Sequence, residues 1–81
     1  MSEKMMYQNL YYNLKNIVNY LNNAITNVSR AISNSNSGIV INGVCYKSRE
    51  LNTIRNNLEQ YRRTIVNVYL PDIKSRIEGL E

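Results

Sequence analysis

The chain has 81 residues, ten Lys or Arg against six Asp or Glu, a net charge of +4, one cysteine and no histidine. One domain fits that length, and it buries only about 60–65% of its extended-chain surface, so support from outside a small core is expected. A single cysteine excludes an internal disulfide, and without histidine no ordinary zinc site assembles.

Residues 1–20 carry no continuous apolar core, because Asn9, Asn13, Asn16 and Asn19 interrupt them. No segment approaches the ~18 apolar residues of a membrane span. The expectation is a cytoplasmic protein with no leader and no membrane span. The fourteen asparagines and seven tyrosines are spread along the chain, a compositional bias rather than a polar tract.

The first element is a helix over about 5–33. Apolar residues recur at Tyr7, Leu10, Leu14, Ile17, Leu21, Ala24, Val28 and Ala31 in steps of three and four, the heptad pattern of a seam between helices. A second column, Tyr11, Val18, Ile25 and Ile32, runs beside it. Together they widen the stripe to about three positions in seven, more than one facing helix covers. Ser33-Asn34-Ser35-Asn36-Ser37-Gly38 then ends the helix in residues that favour local turns.

A β-hairpin is expected over about 39–46. Ile39-Val40-Ile41 and Val44-Cys45-Tyr46 flank Asn42-Gly43, and a type I′ turn needs positive φ at both central positions. Alternation places Ile39, Ile41, Val44 and Tyr46 on one face, as a surface that covers the helix ends or meets another molecule. Cys45 has no histidine base and reads as a small hydrophobe.

A second helix is expected over about 49–79, with Ser48 as cap and Glu50 in its first turn. Its stripe is Leu51, Ile54, Leu58, Tyr61, Ile65 and Val68, flanked by the aliphatic stems of Arg55 and Arg62. The stripe then slips to Tyr69, Ile73, Ile77 and Leu80, a stutter in the heptad. Pro71 lies inside it and is expected to bend the helix.

The predicted fold is mostly α: a single domain over 1–81, an antiparallel two-helix hairpin with a β-hairpin at its tip, pairing with a second copy into a four-helix bundle. The expected partner-binding residues are Tyr11, Leu14, Val18, Leu21, Ile25, Ile32, Tyr61 and Tyr69 along the helices, with Ile39, Ile41, Val44 and Tyr46 on the ribbon. The acidic residues form no close pair, so no catalytic, cofactor or metal site is predicted.

Two long helices around a glycine-containing turn, in under 100 residues, resemble the WXG family of type VII secretion. They also resemble the small helical proteins encoded beside LXG toxins. In place of the family's Trp-x-Gly the turn carries Ser37-Gly38 and Asn42-Gly43, and the Y-x-x-x-[DE] spacing occurs once, from Tyr46 to Glu50. The resemblance implies a dimeric four-helix adaptor that accompanies a larger protein to export. From the residues alone, two other classes stay open. One is a self-assembling coiled coil, phage or viral components included. The other is a small basic binder of nucleic acid or membrane surface, disfavoured because acids interleave with the basic residues of 47–76.

Overall fold

Ser2 starts the first helix. Its hydroxyl accepts a hydrogen bond from the Met5 amide at 3.1 Å and its carbonyl one from the Met6 amide at 3.0 Å. The first satisfies an otherwise orphaned donor, and the second is the first i→i−4 bond of the helix. Helix α1 therefore runs Glu3–Asn34, two residues earlier than the apolar pattern predicts. The computed structural model describes the backbone of residues 2–34, 39–41, 44–46 and 48–80, and the side chains of 2–34 and 49–80. The predicted turn residues at 35–38 and 42–43, and the side chains proposed for the ribbon and the Ser48 cap, lie outside the described residues.

After α1 come β1 (Ile39–Ile41) and β2 (Val44–Tyr46), antiparallel, with Ile39 opposite Tyr46, Val40 opposite Cys45 and Ile41 opposite Val44. Helix α2 spans Ser48–Thr64, and α3 spans Leu70–Gly79. Between them Ile65–Tyr69 forms a π turn, closed by the Leu70 amide donating to the Ile65 carbonyl five residues back. The protein is mostly α, a pair of rods with α1 packed along both α2 and α3.

The π turn resolves two features of the sequence at once. Pro71 has no amide to donate and its ring crowds the carbonyl four residues earlier. A widened turn just before it relieves that crowding, and Pro71 sits in the first turn of α3, where a missing donor does no harm. The same turn takes up one extra residue, which absorbs the stutter after Ile65. Where a bend is expected at Pro71, the structure shows a change of helix type just before it.

The seam is one column away from the predicted one. On α1, Tyr7, Tyr11, Leu14, Val18, Leu21, Val28 and Ile32 are half-buried and Ile25 is buried, while Leu10 and Ile17 are exposed. On α2 the inward residues are Leu51, Arg55, Leu58 and Arg62, followed by buried Ile65; Ile54, Tyr61 and Val68 face out. Both α1 columns share Tyr7, Leu14, Leu21 and Val28. The seam takes the one whose other members, Val18, Ile25 and Ile32, bury more apolar surface than Ile17, Ala24 and Ala31.

The resulting core is thin. Ile25, Ile65 and Ile73, at 9%, 8% and 7% exposure, are its buried members among the described residues. The rod measures 55 × 21 × 15 Å, with a radius of gyration of 17.7 Å where a compact chain of this length has about 12 Å. It exposes 6055 Å², against roughly 5,000 Å² for a compact monomer of this mass.

Candidate helix-docking face

Arg62 fixes how the helices align. Its Nη1 donates to Asn22 Oδ1 at 2.8 Å, bringing the last turn of α2 beside the middle of α1. From that contact, Ala24 and Tyr61, Ala31 and Ile54, and Ile17 and Val68 lie at the same height to within about one residue of rise, ~1.5 Å.

On α1 the column Leu10, Ile17, Ala24 and Ala31 lies one residue before the inward column Tyr11, Val18, Ile25 and Ile32. On α2, Ile54 and Tyr61 lie one residue before inward Arg55 and Arg62. Antiparallel helices related by an approximate two-fold axis carry such equivalent columns on the same side of their seam. Leu10 and Tyr69 accordingly line one groove, together with Tyr7, Leu14, Asp72 and Ile73.

This flank is apolar and nearly free of charge. Leu10 (44%), Ile17 (42%), Ile54 (48%) and Tyr61 (59%) are exposed along it, with Met6 and Tyr20 at its α1 margin. Asn13, Asn27 and Asn57 are the polar residues interspersed, and Thr64 is half-buried. Its charged groups sit at the ends: Glu50 near the ribbon, and Asp72 with Arg76 at the other end. Arg76 Nε donates to Asp72 Oδ2 at 3.1 Å. That carboxylate, by hydrogen bond and charge, and then the Tyr7 hydroxyl, raise the pKa of the Arg76 guanidinium above its ordinary value.

The opposite flank is polar. Lys15, Asn22, Ser29, Asn52 and Glu59 line it, and Lys15 Nζ lies 5.8 Å from the Tyr11 ring centre. Arg55 donates to Asn52 Oδ1 at 2.6 Å on this side. Tyr12 and Val66 are exposed away from the apolar flank, as single residues among polar ones. Mid-helix hydroxyls are satisfied by carbonyls four residues earlier, Thr26 on Asn22, Ser33 on Ser29, Thr53 on Arg49 and Thr64 on Gln60.

The sequence-predicted docking residues therefore divide. Ile25 is buried in the hairpin, and Tyr11, Leu14, Val18, Leu21 and Ile32 are half-buried along its seam. The hairpin's own seam thus takes the larger of the two α1 columns and covers these six in part or, for Ile25, fully. Tyr61 and Tyr69 stay exposed on the apolar flank. Leu10, Ile17 and Ile54 complete that flank; the seven-residue spacing held the signal for all three, but they were placed in the seam. Ile39, Ile41, Val44 and Tyr46 have side chains outside the described residues.

Among the described residues no helix is long and apolar enough to cross a membrane. Among the described residues no cluster of three His, Cys, Asp or Glu is placed to hold a metal. No family model matches the chain, and no curated protein or solved structure is significantly similar to it.

Proposed function

We propose that this chain is a non-enzymatic helical docking protein whose apolar flank packs against helices of a partner protein. The observation that carries the reading is the uncharged flank: Leu10, Ile17, Ile54 and Tyr61 exposed together, on a hairpin that turns Arg55 and Arg62 inward instead of Ile54 and Tyr61. A lone hairpin gains more by burying Ile54 and Tyr61 than two arginine stems. Depletion of charge with tyrosine and aliphatic residues at the centre is the composition of a protein interface.

In its narrower form the reading is an adaptor that accompanies a larger protein, from the cytoplasm to type VII export. The resemblance of two helices around a glycine-bearing turn to WXG and LXG-associated proteins supports that form. Co-expression with the product of the adjacent reading frame tests it. A stable complex that Ile17→Glu breaks, with helical content unchanged, is the expected result. Absence of any complex in co-expression contradicts the adaptor form.

Self-assembly is the second reading, favoured by one observation: the flank offers bulk on one helix and hollows on the other. The basic-binder reading receives no such support, because the flank carries no basic stripe.

A further inference from the structure

The flank's two halves differ in relief. Along α1 it falls from Leu10 and Ile17 to Ala24 and Ala31, while along the second rod Ile54, Tyr61, Val68 and Tyr69 are all large. The Asn22–Arg62 contact brings Ala24 to the height of Tyr61, and Ala31 to that of Ile54, within about one residue of rise, ~1.5 Å. We infer that a second copy of this chain docks on the flank with both ribbon ends at the same end of the dimer, so that Tyr61 and Ile54 of each copy enter the hollows over Ala24 and Ala31 of the other.

Relief, charge and area support this choice of occupant. When two copies meet face to face about a two-fold axis along the rod, α1 of one lies over α2 of the other at equal height. Ile54 and Tyr61 then each meet an alanine, and Val68 meets Ile17. The alternative axis, across the rod, lays α2 over α2, where Tyr61 meets Tyr61 and Ile54 meets Val68, with no small residue on either side. The flank bears no charge between Ile54 and Tyr69, so it makes no demand for a partner of opposite sign. A strip about 45 Å long and 15–20 Å wide offers roughly 700–900 Å² per copy, and a standard stable interface needs ~800 Å².

This inference rests on the reading of the flank as a docking surface, and the test separates the two. Thr53 and Ser75 are exposed on the outer side of the second rod, separated by about 33 Å of helix axis. Spin labels go on Thr53→Cys or Ser75→Cys in a Cys45→Ser background, and the copies are mixed. Sedimentation is expected to give a dimer, and electron–electron resonance a Thr53–Thr53 distance shorter than Thr53–Ser75. The reverse order of distances, or a monomer at sub-millimolar concentration, overturns the self-pairing. If the chain is monomeric but Ile17→Glu still breaks its complex with the adjacent gene product, the pairing alone falls. If the dimer forms and Ile17→Glu leaves it intact, the flank is not the dimer contact and the self-pairing falls; if Ile17→Glu also spares the complex with the adjacent gene product, the docking reading falls with it.

Discussion

The Arg62 guanidinium donates to Asn22 Oδ1 at 2.8 Å across forty residues of sequence. Two rods joined only at one end slide along a greasy seam unless something polar sets their alignment, and a polar seam residue specifies register at some expense of stability. Replacing Arg62 with Leu is therefore expected to raise the thermal midpoint by roughly 5 °C, a gain of about 1 kcal/mol. The same change loosens the alignment, visible as broadened amide signals. Asn22→Ala is expected to lower the midpoint by a few degrees, since exposed hydrogen bonds to a charge contribute about 1 kcal/mol or less. A melt of each variant checks both signs.

The buried isoleucines set the scale for damage. Ile73→Ala and Ile65→Ala are each expected to destabilise by about 2–4 kcal/mol, a large share of what so small a core supplies. Ile54→Ala, at an exposed position, is expected to shift the midpoint of the separated single hairpin by no more than a degree or two. Urea melts that rank Ile54 with Ile73 contradict the placement of the seam.

The π turn makes a prediction about length. If it takes up one surplus residue, deleting Asn67 together with Pro71→Ala gives a continuous α-helix and a protein at least as stable as the parent. Deleting Asn67 alone leaves Pro71 in an uninterrupted helix, at about 3 kcal/mol. Pro71→Ala alone keeps the π turn, because the extra residue is still there. Deleting Asn57 instead shifts every inward residue beyond it and is expected to abolish the cooperative melt. Circular dichroism of the four variants distinguishes these outcomes.

Much of the fold was legible because helices advertise themselves by period. Steps of three and four located α1 and α2, and Pro71 with the four-residue steps after Ile65 marked where the helix changes type. The rotation of the helices was not legible. Ile17 and Val18, or Tyr61 and Arg62, stand about 100° apart on the wheel, one on each side of the shared column, and heptad spacing fits either. Apolar character favoured Ile54 and Tyr61 for the seam, yet inward Arg55 and Arg62 occupy it, Arg62 held by a neutral acceptor on α1. The apolar pattern places the start of α1 about two residues late, because Ser2 acts through a hydrogen bond, outside any apolar pattern.

Salt separates docking from charge-driven binding. An interface formed by Leu10, Ile17, Ile54 and Tyr61 releases no counterions, so its association constant is expected to hold or rise between 50 and 500 mM NaCl. Binding through the basic residues falls steeply over that range. A steep fall in complex formation places the contact on the polar flank instead.

The central claim is that this hairpin exposes an apolar flank that must be covered by helices from another chain. Thermal melts of the purified protein at protein concentrations spanning two decades test it most directly. A midpoint that climbs with concentration, and ceases to do so in Ile17→Glu, is the predicted result. A cooperative melt at one fixed midpoint, from a monomer, with the wild type and Ile17→Glu superimposed, contradicts it.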